Sequence, residues 1–161
     1  MIAEVHRIYV KIVFASEVDI LLTRNSPERP AGRYNRLGQD ALYLSKDEQS
    51  ARVAMQKYRN PSDPKRVLVS FEVTHCRVLD LRHPEANRLR QLASQDWQSE
   101  LASGLTPASW QVADKVRESD EAGLIDPSRK QASLWHLTLL RWNQAHAPQV
   151  AIVSEPVEIS L

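Results

Sequence analysis

The side chains best suited to chemistry fall in two short stretches. Arg33, Tyr34, Asn35 and Tyr43 lie in GRYNRLGQDALYL (32–44), and Ser128 and Arg129 lie in PSR (127–129). A guanidinium is a planar fork of donors that matches paired phosphate oxygens, and Gly32 beside Arg33 lets backbone approach such a ligand closely. Tyr43, ten residues after Arg33, offers a ring face for a base or nicotinamide and a hydroxyl handle. Tyr34 has the same chemistry between two polar neighbours. Asn35 either joins that wall or is a turn residue that tolerates left-handed backbone. Ser128 can hydrogen-bond a carboxamide or a ribose hydroxyl. The set suits a dianionic, planar ligand. Each member also has an ordinary reading, as a solvated loop arginine, a packed tyrosine or a Pro-Ser turn.

Other chemistries find less support. The five histidines, at 6, 75, 83, 136 and 146, include no HxxxH pair, and Cys76 is the single cysteine. A metal centre and an intramolecular disulfide are therefore not expected. His136 reads as a core or edge histidine, Cys76 as a packed apolar residue and the four tryptophans mostly as core. GxSxG, P-loop, GxGxxG and CxxC motifs are absent, which argues against a serine hydrolase and against Walker or Rossmann nucleotide sites. Lys and Arg number 21 against 20 Asp and Glu, a net charge of +1. That balance gives no bulk attraction for nucleic acid or a membrane surface. The first residues, MIAEVHRIYVKIVF, mix charges into their apolar positions, and no run approaches the ~20 apolar residues of a membrane span. A cytoplasmic protein is expected.

The elements that must hold these residues read as follows. Ile8 to Phe14 alternates as a strand, with Ile8, Val10, Ile12 and Phe14 on one side. Residues 24–40 form a long loop punctuated by Pro27, Pro30, Gly32 and Gly38 and studded with arginines, a length more typical of functional loops. A short strand covers 41–44. Ser45-Lys46-Asp47-Glu48 reads as a capping box that opens a helix to about Tyr58, leaving Glu48 occupied as the capping acid. Strands follow at 66–73 and 78–81. Helices start at Pro84 and at Thr106-Pro107, with Gly123 beyond the end of the second. Strands at 134–142, 150–153 and 157–161 complete the chain. This order predicts one domain, 1–161, of the α+β class: a mixed sheet flanked by helices.

Read together, GRYNRLGQDALYLS, the helix after it, GLIDPSR (123–129) and HLTLLRW (136–142) resemble the RES domain, whose hallmark runs roughly GGRWN, G, LY, a helix and later a PS or SR element. The resemblance covers nearly the whole chain. It implies a fold like that of ADP-ribosyltransferase toxins and NAD as co-substrate. It also implies a role as the toxin of a toxin–antitoxin pair with an Xre-like antitoxin as partner. The family's motif arginine, tyrosine and serine fall on Arg33, Tyr43 and Ser128, which are expected to be catalytic. Arg33, Tyr34, Asn35, Tyr43, Ser128 and Arg129 are expected to bind NAD. The motif glutamate, eleven residues after the tyrosine, is replaced by Ala54. Glu48, Glu72 or Asp47 would then have to stand in, or activity is lost, or the nucleophile comes from another protein. The last option makes the chain an ADP-ribosyltransferase, with phosphoribosyl-pyrophosphate synthetase as a target suggested by one branch of the family. The alternatives are an NAD glycohydrolase or phosphorylase, and a non-catalytic NAD-binding module.

Overall fold

The computed structural model describes residues 1–131 and 133–161. Strands are β1 (Ile2–Phe14), β2 (Leu42–Ser45), β3 (Arg66–Asp80), β4 (Gly123–Pro127), β5 (Trp135–Leu139), β6 (Val150–Ile152) and β7 (Val157–Ile159). Helices are α1 (Glu48–Met55), α2 (Asn87–Ala93), α3 (Trp97–Ala102) and α4 (Ala108–Arg117). The sheet is mixed: β3 and β4 run parallel and the other pairs antiparallel. Pairing passes from β1 to β2, β5, β4, β3 and back to β1, while β6 and β7 also pair with β3. The expected α+β class holds.

The expected strands 66–73 and 78–81 are one continuous β3, paired with nearly all of β1. A bulge explains the misreading. Val5 pairs with Cys76 but Arg7 with Val73, so β3 carries an extra residue near Thr74–His75. The buried positions accordingly change phase, from Val67, Val69, Phe71 and Val73 to Cys76 and Val78. One inserted residue shifts which positions face inward. β1 also begins earlier than expected, and its core contributions are Val5, Tyr9 and Val13, whereas Ile8 is exposed.

Three further expectations need correction. Ser45 does not cap α1 because it belongs to β2; Asp47 is the cap and accepts the Ser50 amide at 2.9 Å. Glu48 is free of capping and pairs with Arg52 at 2.9 Å. α1 stops at Met55 and a 3-10 turn continues to Tyr58. Residues 123–127, to which no expected element was given, form β4. The short run is bounded by Gly and Pro, yet its first four residues are buried. α3 was not anticipated; Asp96 caps it through the Ser99 amide.

The alternation of β2, β5 and β4 places the site. Leu42, Leu44, Leu137, Leu139 and Ile125 point into a core with Tyr9, Phe71 and Trp142. Successive side chains on a strand face opposite sides, so Tyr43, Ser45, His136, Thr138 and Asp126 share the other face. Beside that face a second core joins Leu81, Ala93, Val112, Val116 and Leu124 under α2 and α4.

No helix among the described residues is long and apolar enough to cross a membrane. At Gly123 an added Cβ would overlap the Thr138 carbonyl oxygen and stand 2.9 Å from Leu139 Cα. These are backbone atoms at the β4–β5 join, which cannot yield locally. Gly123→Ala should therefore destabilise the protein by about 1–3 kcal/mol or more, read as a lower urea midpoint in chemical unfolding.

Candidate functional site

A cleft of about 420 Å³ opens over the polar face of β2 and β5. The 32–34 segment, the 128–130 turn, α1 and Trp97 wall it. Of the six expected site residues, Arg33, Tyr34, Tyr43, Ser128 and Arg129 line this one cleft. Asn35 does not: its side chain donates to the carbonyls of Pro30 and Arg36 and accepts from the Tyr43 hydroxyl. It shapes the loop from behind.

The arginine loop is held chiefly by α4. Trp110 Nε1 donates to the Gly32 carbonyl at 2.8 Å, and Arg117 donates to the carbonyls of Tyr34 and Asp40. Arg36 forms a two-point pair with Asp114 at 2.7 and 3.1 Å. Gly32 and Asn35 exchange backbone hydrogen bonds in a tight turn. A Cβ on Gly32 would lie 2.7 Å from both the Tyr43 hydroxyl and Asn35 Oδ1, which is why glycine stands there. Arg29 and Arg36, two of the loop's other arginines, are structural: Arg29 donates to the carbonyls of Thr23 and Ala41.

Arg33 uses one terminal nitrogen, Nη1, on the carbonyls of Ala93 and Gln95, both at 2.8 Å. This satisfies the C-terminal end of α2. Among the described residues its Nε and Nη2 have no partner and remain available as a two-donor edge. Burial, and then the nearby Arg129 charge, lowers the Arg33 pKa; an incoming anion would relieve that strain.

The Tyr43 hydroxyl is fully engaged, accepting the Tyr34 amide at 2.9 Å and donating to Asn35 at 2.7 Å. It is not the handle expected from sequence, and burial pushes its pKa up to about 12. The half-buried ring is what faces the cleft. Tyr34 is buried, its ring stacked near Tyr43 with centroids 6.4 Å apart. Its hydroxyl donates to Asp126 at 2.8 Å. Tyr34 therefore forms a floor beneath the cleft. Ser128 Oγ accepts the amides of Lys130 and Gln131 at 3.3 Å, which leaves its hydroxyl proton to donate outward.

Two residues in the cleft were missed as chemical groups. Asp126, only 4% exposed, accepts from Tyr34 and from Arg129 Nη2 at 2.9 Å. Arg129, although burial opposes its charge, is held above its ordinary pKa by Asp126 and Tyr34. His136, expected to be core or edge, lines the cleft with Nδ1 3.1 Å from Ser45 Oγ. The strand period would have put Asp126 on the polar face had β4 been recognised; His136 lies on an expected strand, and only the pairing of β5 with β2 and β4 brings it to the cleft. None of Asp47, Glu48 and Glu72 lines the cleft, whereas Ala54 does. Cations dominate: Lys11, Arg33, Lys57, Arg129 and Lys130 surround the single aspartate. Among the described residues no cluster of three or more His, Cys, Asp or Glu is arranged to hold a metal. Cys76 is buried and burial pushes its pKa up to about 11, so it is a packing residue.

A family model described as "RES domain" matches residues 5–161. A search of curated proteins finds no match. Among solved structures, the fold is similar to a chain in the crystal structure of the M. tuberculosis MbcT–MbcA toxin–antitoxin complex. The TM-score is 0.65 at 18% identity, covering 99% of this chain and 87% of that chain.

Two measurements test this geometry. Tyr43→Phe strands the Tyr34 amide and loses the Asn35 bond, and should lower stability by about 1–3 kcal/mol in urea unfolding. Lys11, which donates to the Tyr43 carbonyl at 2.9 Å, is lowered to about 8 mainly by burial. The unfolded chain keeps that proton up to about pH 10.4, so stability should rise with pH between these values. Relative to wild type, Lys11→Met should lose that rise between pH 7.5 and 9.5 in the same assay.

Proposed function

The chain belongs to the RES domain family, and we propose that it is the toxin of a toxin–antitoxin pair that cleaves NAD at the nicotinamide–ribose bond. The observation that carries this reading is the convergence of Arg33, Tyr43 and Ser128 on one cation-rich cleft. Two phosphates need fixed positive donors, and the open edge of Arg33 is suited to them. The Tyr43 ring stacks the nicotinamide end, and the Ser128 hydroxyl donates to the carboxamide or a ribose oxygen. As the bond breaks, its electron pair goes to the nicotinamide nitrogen and positive charge develops on the ribose. The Asp126 carboxylate lies in the cleft where it can stabilise such charge.

ADP-ribose then passes to a side chain of an acceptor protein in the cytoplasm. An Xre-like antitoxin closes the pair; the similar solved structure is that of a toxin–antitoxin complex. The second reading is NAD hydrolysis or phosphorolysis. The surplus of lysines and arginines favours it, because the same charges would hold free phosphate. The Ala54 wall favours a non-catalytic NAD-binding module.

Purified protein is incubated with NAD alone, with added phosphate, and with cell extract. Loss of NAD only with extract, together with labelled protein bands, is the expected result; phosphoribosyl-pyrophosphate synthetase is the first acceptor to add in pure form. Loss with NAD alone or with phosphate gives the second reading. Binding without turnover or growth arrest on expression gives the module. Arg33→Ala should weaken NAD binding by about 1.5–3 kcal/mol, roughly 10- to 100-fold, and relieve growth arrest. Unchanged binding and toxicity in a variant that melts like wild type would remove Arg33 from the site.

A further inference from the structure

Three adjacent strands set one polar row across the cleft floor. Ser45 of β2 pairs with His136 of β5, and His136 pairs with Asp126 of β4. Directly opposed residues on neighbouring strands share a face and touch. All three line the cleft.

Cleavage and transfer need a proton acceptor for the incoming nucleophile, and the cleft contains few. Its arginines and lysines are cations at pH 7, including Lys11, whose pKa burial lowers to about 8 and whose ammonium donates to the Tyr43 carbonyl. The hydroxyls of Tyr34 and Tyr43 already donate within the protein, and burial raises both pKa values. Asp126 accepts from Tyr34 and Arg129 on one oxygen, Oδ2, and is the group suited to offset charge on the ribose. His136 remains. Its Nδ1 lies against Ser45 Oγ, and its Nε2 has no hydrogen-bond partner among the described residues.

We propose that His136, oriented by Ser45, is the general base that deprotonates the nucleophile attacking the ribose, an inference that rests on the NAD reading of the cleft. Nδ1–H donates to Ser45 Oγ, and the Nε2 lone pair is the acceptor. The C–N bond to nicotinamide breaks with its electron pair leaving on nicotinamide. The nucleophile's oxygen or nitrogen bonds the ribose carbon, and its proton moves to Nε2, giving an imidazolium that releases it to solvent. The charges facing the ring are Asp126 from β4, Arg129 from the 128–130 turn and Asp47 at the start of α1. Burial lowers the His136 pKa; Asp126 and Asp47 pull it up and Arg129 adds to the lowering. The ring is therefore neutral at pH 7 and ready to accept a proton.

Wild type and His136→Asn are compared for nicotinamide release from NAD with cell extract over pH 5–9, and for NAD binding by calorimetry at pH 7.5. Asparagine keeps a donor near the Nδ1 position but has no counterpart of the Nε2 base. The expected result is binding within threefold, release lowered by about 10²-fold or more, and loss of the acid limb that wild type shows below pH 6.5. Ser45→Ala should retain the acid limb at a reduced rate, and Ser45→Thr should restore that rate. Undiminished release by His136→Asn with the same acid limb overturns the inference while leaving the NAD reading intact. Wild type that neither binds nor cleaves NAD overturns both. If the variant fails to fold, the wild-type His136 ring is titrated by NMR with and without NAD. A ring signal that NAD does not shift also overturns the inference.

Discussion

The arrangement depends on one buried carboxylate. Asp126 is almost inaccessible, and an isolated charge in such a place is unstable unless paired and hydrogen-bonded. Its partners come from the two stretches that wall the cleft: Tyr34 from the arginine loop and Arg129 from the PSR turn. The aspartate thereby ties β4, the loop and the turn into one body. Removing any partner would leave a polar group stranded beneath the cleft, so the network fixes the relative positions of segments about ninety residues apart.

A second set of contacts aims that body. α4 holds the arginine loop from outside through Trp110, Asp114 and Arg117. α2 ends on Arg33 and Arg129, which converge on the Ala93 carbonyl. Two cations on one helix end are attracted by its partial negative charge, and this brings like-charged guanidiniums close together. Their mutual repulsion is an electrostatic reserve that an anionic ligand would relieve. Burial likewise disfavours the charge of Lys11, which also lines the cleft.

The side chains facing the cleft are thus separated from those that hold them. Tyr43 shows the division within one residue: its hydroxyl locks the loop turn and its ring is left for the cleft. Gly32 is required by that lock. Asn35, expected among the binding residues by its position in GRYN, has its side-chain amide engaged by Pro30, Arg36 and Tyr43.

The sequence by itself determined the α+β class and the irregular arginine loop, which follow from local periodicity and turn residues acting over a few neighbours. Arg33, Tyr43 and Ser128 were nominated through the resemblance of their motifs to the RES domain, since their side-chain chemistry alone left ordinary readings open. Only the tertiary structure decided that β3 is continuous, because a bulge reverses its phase. It also decided that Ser45 is sheet and not cap, because pairing with His136 outweighs a local hydrogen bond. Above all it decided that Asp126 and His136 share the cleft, since strand register depends on partners distant in the chain and no spacing along β4 or β5 encodes which strand will lie beside it.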